Sequence, residues 1–203
     1  SSSRIIRKDV ATLLTGRHLS VKVFPLSFKE FIEFKNISFS QDDIYSKEKT
    51  AVIRSLFDEH LKFGAFPEIC LTSDINLKHE LLNNYYEDIL YKDIVDKYNI
   101  KEKVILENFL KFLFISIGGY FSYKRGEEYL RSLGISSSTR TLLRYTSILE
   151  EVFLFFFVPI FTRKMREQAK YPKKIYSIDV GLRNVVYSSE DFGKKAENIV
   201  FLE

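Results

Sequence analysis

The sequence holds little of what usually announces chemistry. A single cysteine, Cys70, excludes an internal disulfide framework and a cysteine metal cluster and points to a reducing compartment. It lies between Ile69 and Leu71 and reads as a small buried hydrophobe. The three histidines, His18, His60 and His79, have no i, i+4 partner, so no metal site is expected. The longest apolar run, Val152 to Phe161, contains Pro159 and is far shorter than the ~20 residues that span a bilayer. No basic segment followed by an apolar one opens the chain, which makes the cytoplasm the expected location. No GxxxxGK[ST] loop is present, so this chain alone is expected to bind no cofactor and to hydrolyse no ATP.

What is present is a core-forming composition. The 203 residues are 45% hydrophobic and 15% aromatic, enough for one large or two small cores. Apolar spacing predicts a helix from Arg4 to Leu14, capped by Ser3 and stopped at Gly16. Alternation at Val21, Val23 and Leu26 predicts a short strand ended by Pro25, after which Ser27 caps a helix over Phe28 to Phe34. Residues 42 to 98 read as two or three helices separated at 63–67 and 72–76. Another helix runs from Lys101 to Ile117 and stops at Gly118-Gly119. The lack of an initiator Met and an ending inside an apolar-periodic helix, Lys194 to Glu203, lead to the expectation of a fragment.

The stretch from Tyr123 to Asp179 carries the clearest supersecondary signal. A helix from Tyr123 ends at Gly134, and Ser136-Ser137-Ser138 cap a second helix reaching about Glu151. Phe153 to Phe161 then reads as a strand, Lys173 to Asp179 as its return, and 162–172 as the loop between them. That is the order of a winged helix-turn-helix. Leu142, Tyr145, Leu149 and Val152 form an inward stripe on the second helix, with Leu143 off it beside Arg144. Between Phe121 and Ile175 stand eleven Lys or Arg and five Asp or Glu, a net of about +6 against +4 for the whole chain. Thr139, Arg140 and Arg144 on the second helix, with Arg163, Lys164, Arg166 and Lys170 in the loop, are the candidate nucleic-acid contacts, because cations gain by releasing counterions from a duplex.

Several segments match a known family in order. They are Ser1-Ser2-Ser3 through Gly16-Arg17, Val23-Phe24-Pro25-Leu26-Ser27-Phe28, Phe63-Gly64-Ala65-Phe66-Pro67-Glu68, Tyr85 through Ile94, Lys173 through Asp179, and Glu197 through Glu203. Through these the chain resembles archaeal and bacterial predicted AAA+ ATPases, from the end of the ATPase core onward. The resemblance implies a mainly α fold with a small β component, divided into a remnant of the AAA+ core (1–35), a helical lid (36–100), a winged helix (101–181), and a linker with the first helix of a nuclease-like domain (182–203). It implies ATP and Mg2+ as cofactors of a longer parent and a homo-oligomer formed through the ATPase core.

The same resemblance assigns roles. Arg17 stands where such rings present an arginine finger, whose guanidinium neutralises charge on the transferred phosphoryl group; a cap on the preceding helix's carbonyls is its ordinary alternative. Ser1 and Ser2 stand in the sensor region, where serines also serve as helix caps. Gly64 and Lys92 stand at lid positions of nucleotide contact, although the family has two glycines where Gly64-Ala65 stands and an arginine at Lys92, which matters because the two cations differ in fork geometry. Glu197 matches a metal-holding glutamate only where the nuclease-like domain is complete. Asp88, Asp93 and Asp96 do not share one helix face and read as solvated carboxylates or as partners for Lys92 and Lys97, not as a general acid and base. The expected function is thus a piece of an AAA+ ATP-binding protein whose winged helix contacts double-stranded DNA. A non-catalytic DNA-binding module and a protein-interaction scaffold are the competing readings, separable by salt dependence.

Overall fold

The computed structural model describes residues 21–40, 43, 45–162 and 171–203. Residues 21–26 do not form the expected strand. They belong to no ladder, Val21 and Val23 are 81% and 87% exposed, and the Leu26 N–H, beyond the donorless Pro25, bonds instead to the Ala65 carbonyl at 2.9 Å. Helix α1, Phe28–Phe34, begins where Ser27 predicts. The Ser27 hydroxyl accepts from the Glu30 N–H at 3.2 Å, and the Glu30 carboxylate accepts from the Ser27 N–H at 2.8 Å, closing a capping box.

A helical layer follows. Helix α2, Lys47–Phe63, is capped by Ser46; α3, Pro67–Leu71, starts on a proline whose missing N–H costs nothing there; α4, Ile75–Glu87, is capped by Asp74. It runs directly into a π-helical segment, Asp88–Asp96. Helix α5, Lys103–Ile115, is apolar nearly all round. Leu106, Phe109, Leu110, Leu113 and Phe114 are wholly buried, which makes α5 the centre of the largest core.

Strand β1, Tyr120–Phe121, then precedes helices α6, Tyr123–Ser132, and α7, Thr139–Glu151, and strands β2, Phe155–Val158, and β3, Lys173–Ser177. The sheet is antiparallel in the order β1-β3-β2. This helix, strand, helix, helix, strand, strand order is that of a winged helix-turn-helix. Strand β2 is shorter than the apolar run because Phe153 turns the chain at φ 59° and Pro159 removes a ladder donor. Its faces are both covered: Phe155 and Phe157 enter the core, while the Phe156 ring meets Phe24 and Phe201 at 6.1 and 5.6 Å. Helix α8, Val180–Val186, packs on α2 and α4, and α9, Phe192–Leu202, packs on α2 and β3. No helix among the described residues is long and apolar enough to cross a membrane.

Candidate functional site

Helix α7 separates its two sides cleanly. Leu142, Tyr145 and Leu149 are buried, while Thr139, Arg140, Leu143, Arg144 and Ser147 are exposed. Its start is fixed by Ser138, whose hydroxyl accepts from the Thr141 N–H at 3.2 Å. The helix is pinned to α6 by Thr139 donating to the Glu127 carboxylate and by the Tyr123 and Thr146 hydroxyls 3.1 Å apart. Arg144 donates to the Tyr98 carbonyl at 3.2 Å, which holds its stem along the surface, and Arg140 stands one turn nearer the helix start. The structure therefore brings Thr139, Arg140 and Arg144 onto one accessible face. Arg163, Lys164, Arg166 and Lys170 lie outside the described residues, in the segment joining β2 to β3.

The two positions expected to contact a nucleotide, Gly64 and Lys92, have other neighbours. Gly64 ends α2 at φ 74° and ψ −159°, a region open essentially to glycine alone, and a Cβ there would overlap the Asp179 carboxylate. The space beside Gly64 is thus filled by an acid, the opposite of a phosphate cradle, and its glycine is explained without a nucleotide. Lys92 is exposed and pairs with Asp88 at 2.6 Å on the π-helical segment. Glu197 accepts from Lys174 at 2.6 Å and from the Tyr176 hydroxyl at 2.9 Å. The Lys174 bond keeps its carboxyl below the usual range against the opposing effect of burial. Among the described residues no group of three or more His, Cys, Asp and Glu is placed to hold a metal ion. Ser1, Ser2 and Arg17 lie outside the described residues.

What the sequence did not disclose is that its matching segments meet. Asp179 is wholly inside the protein, at 2% exposure, and its carboxylate accepts from the Ala65 N–H at 2.7 Å and, as the α8 N-cap, from the Leu182 N–H at 3.1 Å. Ala65 in turn accepts from Leu26. Gly181 lets α8 approach the Phe63 carbonyl, where a side chain would collide. The Asn198 amide accepts from the Ser177 N–H at 2.7 Å and donates to the Ser177 carbonyl at 2.9 Å, acting as one more strand partner. Glu203 accepts from the Phe28 N–H at the start of α1, and the Tyr85 hydroxyl donates to Glu68. Five separated stretches are thereby tied to one point.

That junction encloses a cavity of about 40 Å³ lined in part by Leu26, His60, Asp179, Ile199 and Glu203, more than the ~10–15 Å³ one water needs. His60 is 3% exposed, lies edge-on to Phe28 and Phe31 at 5.6 and 5.1 Å, and has no hydrogen-bond partner on either nitrogen. Burial pushes it down to about 4, with the Leu26 backbone and the Glu59 charge pulling the other way; the Leu26 contact falls short of hydrogen-bond geometry. Burial pushes Asp179 up to about 6, against the N–H bonds of Ala65 and Leu182 and the nearby Gly181 N–H. Arg183, also enclosed, spends its guanidinium on the Phe114 carbonyl at 3.2 Å and the Ser189 hydroxyl at 2.8 Å. These groups hold segments together.

Two curated proteins match this chain along its whole length: an uncharacterised protein of Methanocaldococcus jannaschii at 36% identity and an uncharacterised protein of Haemophilus influenzae at 28%. The chain spans 45% and 49% of those relatives, just under half of each. No solved structure matches it. A family profile covers residues 54–192, from the middle of α2 to the start of α9, more than two thirds of the chain; the chain belongs to the family described as a domain of unknown function, DUF8612.

Proposed function

We propose that this chain is a DNA-contacting winged-helix unit that works as part of an AAA+-type ATP-binding protein. The observation that carries the DNA reading is the outward face of α7, where Thr139, Arg140 and Arg144 are exposed; the sequence between β2 and β3 adds Arg163, Lys164, Arg166 and Lys170. Phosphates would be met by the cations of both, with α7 laid toward the major groove. The ATPase context rests on the sequence resemblance. In it ATP and Mg2+ belong to the longer parent, Arg17 acts on a neighbouring subunit's nucleotide, Ser1 and Ser2 lie near the reacting phosphate, and subunits associate through the ATPase core.

The test is fluorescence anisotropy of the chain with a labelled duplex over a range of salt. If all six of those Lys and Arg side chains meet phosphates, log K falls with log salt at a slope of about −5. Arg140→Ala should weaken binding to all sequences alike and reduce the slope by about 1. Absence of duplex binding at low salt refutes the DNA reading, and salt-independent association with a protein favours a scaffold. Separately, ATP hydrolysis by the whole parent should fall by orders of magnitude in Arg17→Ala; unchanged turnover refutes the finger.

A further inference from the structure

On the reading of α7 as a duplex-facing helix, one member of its outward face does not belong to a phosphate-binding surface. Leu143 is 46% exposed and sits among Thr139, Arg140, Arg144 and Ser147. The inward stripe is already complete, with Leu142 and Leu149 fully buried and Tyr145 at 1% exposure, so Leu143 is not a core residue pushed outward. Helical spacing puts Arg140 and Ser147 on the same side as Leu143, with Arg144 beside it. No Asp or Glu occurs between Glu128 and Glu150; the Glu127 carboxylate stands at the edge of the face, bonded to Thr139, and the exposed cations Arg140 and Arg144 beside Leu143 complement an anionic partner. A leucine held in water forgoes the free energy of burial, and phosphates offer it nothing. The apolar group that a duplex presents in its major groove is the C5 methyl of thymine.

We propose that Leu143 reads a pyrimidine C5 methyl, and that this contact gives α7 a preference for thymine, or for 5-methylcytosine, over the unmethylated base. Arg140 and Arg144 hold the helix on the backbone, and Leu143 supplies the discrimination. This rests on the DNA reading above, and the experiment separates the two.

The full chain is titrated into two matched pairs of labelled duplexes: alternating dA·dT against the same duplex with uracil for thymine, and alternating dG·dC against its 5-methylcytosine form. Within each pair only the methyl differs. The methylated member should bind about fourfold tighter, the worth of burying one methyl-sized group. Leu143→Ala should lose the ratio while still binding the uracil duplex, and Arg140→Ala should weaken both members equally and keep the ratio. Far-UV circular dichroism checks that each variant folds, which an exposed position permits. A ratio of one in the parent chain, or a ratio that survives in Leu143→Ala, overturns the methyl contact and leaves DNA binding standing. No binding to any duplex overturns both.

Discussion

The buried pair at the motif junction makes opposite demands on pH, and the consequence is measurable. His60 falls from its usual 6.5 to about 4, so between pH 4 and 6.5 the unfolded chain binds the extra proton and stability rises with pH. Asp179 climbs from 3.8 to about 6. Between those values the folded chain holds the extra proton, so stability falls as pH rises. At about 1.4 kcal/mol per pH unit each effect is worth on the order of 3 kcal/mol, and in the parent chain they nearly cancel across pH 4 to 6. Replacing His60 by Phe keeps an aromatic ring against Phe28 and Phe31 and removes only the rising part. Urea unfolding at several pH values, followed by circular dichroism, should then show His60→Phe losing about 3 kcal/mol relative to the parent as pH goes from 4 to 6. Asp179→Asn should gain a similar amount over the same range, after an overall loss from turning an amide NH2 toward the Ala65 N–H. Reading each variant against the parent removes the shared slope of surface carboxylates and of Glu59, where burial is outweighed by Lys35 and Lys78. Variant curves parallel to the parent, or a His60→Phe curve that rises relative to the parent, would refute the opposition of the two groups.

Two further predictions concern the same junction. Gly64→Ala should cost about 1–3 kcal/mol for its backbone region alone, and more because the Asp179 carboxylate must move; a denaturation midpoint within error of the parent would sink that account. Asn198→Ala removes both bonds to Ser177 and leaves a buried N–H and C=O unpaired, at about 1–3 kcal/mol each. Hydrogen exchange at the Ser177 amide should accelerate with that loss, and unaltered protection there would mean that Asn198 is not a strand partner.

Local signals in the sequence were dependable wherever one residue acts on its near neighbours. Ser27 and Ser138 cap the helices they were expected to cap, because an N-cap bond spans two or three residues. Spacing likewise placed α5 and the inward side of α7. It failed at β1, two residues long and too short to alternate, and at the π-helical segment, whose wider winding leaves no separate mark in an apolar pattern. It also made a strand of residues 21–26, since alternation cannot tell whether a sheet edge is there to receive it.

The sequence by itself determined a mainly helical chain, the winged-helix order and the basic character of the region from Phe121 to Ile175, because each depends on periodicity, caps and charge along a continuous stretch. Only the tertiary structure decided that Gly64 faces an acid, that His60 and Asp179 share a cavity, and that Asn198 extends β3. Those facts join residues 21 to 119 positions apart, and a contact across such distances is set by how whole elements pack, which no local pattern encodes.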